Sequence, residues 1–326
     1  MLKEGIILIA ATAITWWLDI VSEKPLFMRR LEQNDCYGSV VSAKHLEELG
    51  EEIKSLHSEG LLDEEFYRVF ADPYFTPRLP RSLPNAKSII VVAVPQPILR
   101  TTFHWESRKV RVFVPPNYPD VHKVTWRARH ELKRTFRPRQ YKLVRAVLPV
   151  KLLAVRSGLA KYGKNNITYI PKYGSFHRLT AFYSDYESPI DNWQGKRALP
   201  LCAKCNACIN ACPTSAIQKD RFLIRAERCL TYLNEKEAKH AFPKWVDASA
   251  HNSVVGCMRC QRACPYDKDV IDWCEDRGEF SEEETAYLLR GRFRGDKAAD
   301  MQKKLKRVGL DLSLFPRNLK VLLDRE

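Results

Sequence analysis

Two cysteine runs between residues 202 and 265 restrict this chain more than any other feature. The first reads Cys202-x2-Cys205-x2-Cys208-x3-Cys212-Pro213, and the second Cys257-x2-Cys260-x3-Cys264-Pro265. The first is the complete C-x2-C-x2-C-x3-C-P run with which bacterial ferredoxins hold [4Fe–4S] clusters. Three thiolates on one tight loop reach three corners of a cubane. The fourth, followed by proline and placed at the start of a helix, serves a second cluster. The second run repeats the pattern with Val254 in place of its first cysteine, and Cys229 is the only cysteine between the runs. The expected wiring is Cys202, Cys205, Cys208 and Cys264 on one cluster, and Cys257, Cys260, Cys229 and Cys212 on the other. Crossed fourth ligands keep the clusters near enough for electrons to pass. Structural zinc favours separated C-x2-C pairs and has no need of the C-x3-C-P ending. Disulfides belong to oxidising compartments and to far shorter stapled folds. Cys36 and Cys274 fall outside the set and read as packing residues.

Charge is the second constraint. Lys and Arg number 54 against 39 Asp and Glu, a formal charge of +15. That excess favours a polyanionic partner: nucleic acid, an anionic membrane surface or an acidic substrate. It is concentrated in residues 123–164, which hold thirteen Lys or Arg and one acid, Glu131. Thirteen to one is too skewed for an ordinary solvated helix face, and the segment is expected to face a polyanion. The interleaved Trp126, Phe136 and Tyr141 could stack on bases, though their spacing reads rather as core. Oxygen-sensitive clusters and unpaired thiols together point to the cytoplasm.

With 326 residues and an apolar fraction of 45%, the chain can bury a sizeable core, on the scale of about two domains. Residues 5–21 are apolar apart from threonines and Asp19. They fall short of the roughly 20 residues that span a bilayer and lack the flanks of a signal peptide. A helix packed on the protein, or an over-long start, is favoured over a membrane-surface anchor built on Trp16 and Trp17. From Ser42 the pattern is an amphipathic helix with Leu46, Leu49, Ile53 and Leu56 on one face, Ser42 as N-cap and Gly60 as terminator. Residues 72–86 carry four prolines and form a loop or extended segment. Residues 88–94 read as a buried strand and 110–114 as a second. Helix breaks are expected near Pro138 and Pro149. Short strands follow at 167–170 and through Phe182, flanked by glycine turns at 158–163 and Gly174 that would let the backbone approach a ligand. There is no P-loop and no G-x-G-x-x-G. Ser281 to Glu284 form a capping box, and the last forty residues read as two or three short helices.

With these motifs together, the chain resembles the epoxyqueuosine reductase family, cobalamin-dependent proteins with two [4Fe–4S] clusters. The resemblance covers roughly residues 30–270. It rests on the strand at 88–94, on Gly158-Leu159, Gly163-Lys164-Asn165 and Gly174-Ser175, on the eight cysteines, and on Arg228-Cys229-Leu230-Thr231-Tyr232. It implies an α+β fold: an N-terminal α/β cobalamin-binding-like domain, a ferredoxin-like double [4Fe–4S] domain and a short helical tail. The corresponding boundaries are an apolar segment 1–28, then 29–195, 196–272 and 273–326. The resemblance assigns Gly158, Gly163, Lys164, Asn165, Gly174 and Ser175 to cofactor binding. It further implies a reduced flavodoxin or ferredoxin as electron donor and a modified tRNA base as substrate. Two departures stand out. The family's proton-donating Asp is replaced by Val144 or Ala146, and Met258-Arg259 replaces an acidic pair. A general acid must then come from elsewhere; Tyr162, Tyr169, Tyr173 and Lys164 are candidates by location. Two other functions fit the residues alone: a two-cluster electron-transfer protein without cobalamin, and a polyanion-binding module with structural clusters.

Overall fold

The structure, a computed structural model, describes residues 24–71, 77–236, 240–310 and 315–325. The apolar stretch 5–21 and residues 72–76 of the proline-rich loop lie outside the described residues. Among the described residues, no helix is long and apolar enough to cross a membrane.

The N-terminal half runs α1 (Leu26–Gln33), β1 (Tyr37–Ser42), α2 (Leu46–Ser58), β2 (Ser88–Pro95), β3 (Ile98–Trp105) and β4 (Arg108–Val114). It continues with α3 (Val121–Phe136), β5 (Leu143–Ala146), α4 (Val150–Arg156), the short β6 (Lys161–Tyr162) and β7 (Thr168–Tyr169), and β8 (His177–Ser184). Then come α5 (Ala207–Ala211), α6 (Leu230–Glu235), α7 (Arg259–Arg262), β9 (Cys274–Phe280), α8 (Glu282–Arg290), α9 (Gly295–Arg307) and α10 (Phe315–Leu323).

The first sheet has the order β1-β2-β8-β5, with every neighbouring pair antiparallel. β2 is buried along its whole length because helices cover both faces. Alternate side chains of a strand point to opposite faces. Ile90, Val92 and Val94 meet Phe27 and Leu31 of α1 and Val124, Ala128, Leu132 and Phe136 of α3. Ile89, Val91 and Ala93 meet Leu46 and Leu49 of α2 and Leu152 and Leu153 of α4. Each such aliphatic side chain contributes roughly 1.5–3 kcal/mol when fully buried. Ser42 caps a 3₁₀ turn, Ala43–His45, through the Lys44 N–H at 3.3 Å; α2 itself starts after it, with His45 as an N-cap that makes no side-chain bond, and Gly60 just past its end takes φ +67.

A second sheet, β4-β3-β9, was only partly foreseen. The β3–β4 hairpin turns through Glu106 and Ser107 at φ 50 and 62. That is the two-residue geometry for which Asn-Gly is the usual signal, and it is absent here. β9 pairs parallel with β3 from the far side of the cysteine region. The segment expected to be purely helical after residue 272 therefore begins with a strand. Phe103, Val110 and Val112 of this sheet, with Phe280, share a core with Leu288, Met301, Leu305 and Leu319 of the terminal helices. The capping box of α8 is complete: the Glu284 N–H donates to the Ser281 hydroxyl at 3.2 Å, and the Ser281 N–H to the Glu284 carboxylate at 2.8 Å.

The cysteine region docks on the first sheet through Asp267. The Ser175 N–H and hydroxyl donate to the Asp267 carboxylate at 2.8 and 2.6 Å, and Gln261 Nε2 donates to the Ser175 hydroxyl at 2.8 Å. Gly174, at φ +52, stands so close to Asp267 that a Cβ there would strike the carboxylate. Burial pushes the Asp267 carboxyl up to about 6, against the pull of the Ser175 bonds. Asp267→Ala leaves two buried donors without their acceptor. It is expected to cost about 2–4 kcal/mol, read as a lower denaturant midpoint, whereas Asp267→Asn should retain much of that loss.

Candidate metal centre and cofactor cavity

The eight cysteines fall into two groups of four. Cys202, Cys205, Cys208 and Cys264 line one small cavity, and Cys212, Cys229, Cys257 and Cys260 line a larger one of about 370 Å³. Each group takes one member from the other run. Cys208 lies within α5. Cys212 follows α5 in extended conformation and leads through Pro213 into a turn, not into the helix expected there. Cys264 caps a 3₁₀ turn, Pro265–Asp267, with proline in its first position. Cys229 caps α6 and Cys260 lies in α7. All ten cysteines are free. Cys36 is fully buried in the α1–α3 core, and Cys274 packs beside Ile98, Phe176 and Met258.

Burial pushes the Cys208 thiol up to about 11, with Cys202, Cys264 and Cys205 adding to the shift. Burial raises Cys260 too, helped by Cys257, Cys229, Cys212 and, across the groups, Cys208. The two sets of sulfurs therefore stand next to each other. Among the described residues, no three His, Cys, Asp or Glu side chains are drawn together as one metal ion would need. A tetrahedral thiolate zinc site, with Zn–S bonds of about 2.3 Å, would bring sulfurs within about 3.8 Å of one another. A four-iron cluster binds its four thiolates on separate irons and has no need to draw them onto one ion.

Neighbouring side chains hold the cysteine loops. Lys164 Nζ donates to the Cys205 carbonyl at 2.8 Å and to Asn206 Oδ1 at 3.1 Å. Asn252 Nδ2 donates to Cys257 Sγ at 3.3 Å, and its Oδ1 accepts from the Met258 N–H at 3.0 Å. Met258 itself is fully buried. The side chain replacing an acid here is part of the core.

The six residues assigned to a cofactor cradle are spread over four places. Gly163, Lys164 and Asn165 line the small cavity. Asn165 and Ser175 line the large one, Ser175 with its hydroxyl engaged by Asp267. Gly174 serves the close approach of Asp267. Gly158, at φ +72, stands against Gln194 and lines neither cavity. The four candidate proton donors do not line the large cavity either. Tyr162 is buried against Phe222. Tyr169 accepts from Asn165 Nδ2 at 2.8 Å beside the small cavity. Tyr173 donates to Asp35 at 3.0 Å, and Lys164 braces the Cys205 loop. Val144 and Ala146 sit in β5, paired with Tyr183 and Ala181.

The large cavity brings together groups that sequence reasoning missed. Lys151, at the start of α4, has a solvent-exposed side chain that lines the cavity, although protein atoms surround it closely on the other sides. Its Nζ donates to the Asn166 carbonyl at 3.3 Å. Burial lowers its pKa, while Cys229, Glu235 and Cys260 pull the other way. The Tyr118 hydroxyl is hydrogen-bonded to the Glu235 carboxylate, and burial raises the pKa of both. His177 bonds the Gly174 carbonyl and the Thr168 hydroxyl, and burial lowers its pKa to about 4, so it is neutral near pH 7. Two buried donors on the wall, Asn166 Nδ2 and Arg259 Nε, have no protein partner.

Residues 201–267 match the family model described as a 4Fe-4S double cluster binding domain. The class is thereby defined: an iron–sulfur protein whose two-cluster domain is docked on an antiparallel, helix-covered sheet. The chain is similar, further, to the epoxyqueuosine reductases and has their fold. It is 36% identical to the epoxyqueuosine reductase of Cyclobacterium marinum over 115 residues, 35% of this chain and 36% of the relative. A crystal structure of selenomethionine-labelled epoxyqueuosine reductase superimposes with a TM-score of 0.65 at 20% identity, covering 91% of this chain and 80% of that one. The structure of an epoxyqueuosine reductase with a tRNA-Tyr epoxyqueuosine-modified stem loop gives 0.61 at 20% identity, covering 88% and 76%. The sequence match spans about a third of the length of the curated relatives first matched.

Proposed function

We propose that this protein is a reductase in which two [4Fe–4S] clusters feed a cobalamin seated in the large cavity, with a modified tRNA base as substrate. The observation that carries this reading is the shared wall. The quartet Cys212, Cys229, Cys257 and Cys260 borders the same space as Lys151, Asn166 and Arg259. A relay for electrons and a site for chemistry thus adjoin. Under this reading, Cys202, Cys205, Cys208 and Cys264 hold one cluster and the other four cysteines the second. The donor would be a reduced flavodoxin or ferredoxin, and the setting the cytoplasm.

The cavity suits a large cofactor with polar side groups. Its volume, about 370 Å³, is at the low end of the roughly 300–1,000 Å³ usual for small-molecule and cofactor sites, so a corrinoid would enter it in part and extend beyond its mouth. Ile167, Leu179, Ile217 and Leu230 supply apolar surface, and Lys151, Asn166 and Arg259 supply polar side chains along the same wall. Cobalamin, when bound, supplies a strongly reducing centre able to break a carbon–oxygen bond. Reduction of an epoxide to an alkene consumes two electrons and two protons and releases water. The clusters and their donor supply the electrons; the chain must supply or pass the protons. Lys151 Nζ holds a proton at the cavity wall, and burial makes it readier to leave than that of a free lysine. The Tyr118–Glu235 pair is a second reservoir. Glu235 stays protonated to higher pH than a free glutamate, because burial disfavours its anion.

Three outcomes are expected. Cys229→Ala should leave about four of about eight irons per chain; an unchanged iron count would remove Cys229 from the ligand set. Anaerobic titration of the iron-loaded protein with cob(II)alamin should give one-to-one binding and a perturbed cobalt EPR signal. No binding would make the protein an electron carrier and sink the cobalamin reading. Lys151→Met should bind cob(II)alamin as the parent does, yet form alkene about 10²–10⁴-fold more slowly. In the parent, the rate should fall as pH rises through the lysine's pKa, at a pH lower than for a free ammonium. The variant should lack that limb.

A further inference from the structure

We propose that the exposed face of α3 and the turn after it form a docking groove for single-stranded RNA. Bases would stack on Trp126, and phosphates would lie along Arg129, Lys133, Arg134 and Arg137. The proposal extends the RNA part of the reading above and is independent of the cobalamin part.

Four observations converge on the groove. First, α3 turns Val124, Ala128, Leu132 and Phe136 to the sheet, which leaves the opposite face to solvent. Second, Trp126 stands on that face at 66% exposure, the largest exposure among the exposed large apolar side chains described. It stacks on His130 with ring centroids 5.0 Å apart and planes 19° from parallel. A large flat ring held by a second ring and open to water is a stacking platform, and every base has a face to offer it. Third, the groove beside it is lined by Trp126, Arg129, His130, Lys133, Arg134, Arg137, Pro138, Gln140 and Tyr141, with no acid among them. Glu131, largely buried, is the one acid of the helix and pairs with two of the lining residues, His130 and Arg134, each at 3.5 Å. Fourth, the position is apt. Asn117 and Tyr118 line the large cavity, and α3 begins three residues later at Val121. The groove therefore leads away from the cavity rim along a helix about 24 Å long. A strand whose reacting base enters the cavity would lay its neighbouring nucleotides along this face.

An anionic membrane would also seek positive charge. The groove disfavours it, because the apolar component is one ring clasped by a second, not a stripe able to enter lipid.

The test measures binding of the full iron-loaded chain, at several salt concentrations, to an unmodified anticodon stem–loop RNA, to the same stem closed as a duplex, and to phosphatidylglycerol vesicles. The stem–loop should bind more tightly than the duplex. Trp126→Ala should weaken stem–loop binding about 5- to 150-fold, and Trp126→Phe should restore most of it. Lys133→Gln combined with Arg137→Gln should flatten the dependence of log affinity on log salt by about 0.7 for each charge removed. Iron content and cob(II)alamin stoichiometry should be unchanged in all these variants, which separates a failed groove from a failed catalytic reading. Undiminished stem–loop binding by Trp126→Ala, equal affinity for the duplex, or vesicle binding in place of RNA binding would each overturn the proposal.

Discussion

The exchange of one cysteine between two runs is the constraint on which the rest of the structure depends. Cys264 completes the group that begins with Cys202, and Cys212 completes the group that contains Cys257. Neither group can assemble from its own stretch of chain. The whole segment from Cys202 to Pro265 must close before either quartet exists, and an iron–sulfur centre built there becomes part of the folding free energy rather than an addition to a finished domain. The closure also positions Asp267. The turn that follows Cys264 delivers this carboxylate to Gly174 and Ser175, and with that contact the cysteine region is fixed on the first sheet. The large cavity lies where the two meet.

What could be read in the sequence was whatever local spacing specifies. A cluster loop imposes its own spacing, so the cysteine runs were legible from short motifs, and the structure places these eight cysteines around two cavities. β2 was legible because six aliphatic residues in a row, Ile89 to Val94, leave no polar face. The capping box at Ser281 was legible because its two hydrogen bonds are made within one turn. β3 and β9 were not. β9 reads CEDRGEF and is held in the sheet by its parallel neighbour and by Phe280, a contact across more than 170 residues. No local propensity encodes such a pairing, and polar strands with glycine score poorly on any β scale.

The cavity groups were hidden for a related reason. Lys151 belongs to a run of thirteen basic residues, and nothing in that run says which one turns inward. The structure divides them. Arg156 pairs with Glu48 and Glu52, Lys164 braces a cysteine loop, Arg127 holds the Asn34 carbonyl, and Lys151 faces the cavity. The candidates chosen by proximity to the glycine motif failed to reach it, because that motif is shared between the two cavities and the docking contact. Proximity in sequence is a poor guide where a segment reverses twice within twenty residues, as it does through β6, β7 and β8. The replaced carboxylate tells the same story from the other side. Val144 and Ala146 are strand residues with partners in β8, so an acid in their place would have to be re-aimed to serve the cavity.

The aromatic residues of the basic segment separate by helical phase. Phe136 is three turns on from Val124 and shares its buried face, whereas Trp126, two residues from both Val124 and Ala128, points about 200° away from them. Expecting all three rings to be core treated spacing in the chain as spacing on one face. The same phase rule sorts the charges. Several basic residues elsewhere are paired with acids: Arg277 with Asp120 and Glu275, Arg100 with Asp276, and Lys304 with Glu284. On α3 five cations are answered by two acids, Asp120, which pairs with Lys123 at 3.0 Å, and the partly buried Glu131. α3 alone, with five Lys or Arg against one acid, contributes +4 to the net charge of +15. Such a concentrated field acts at range to steer an anionic chain, and the face that carries it begins at the rim of the cavity.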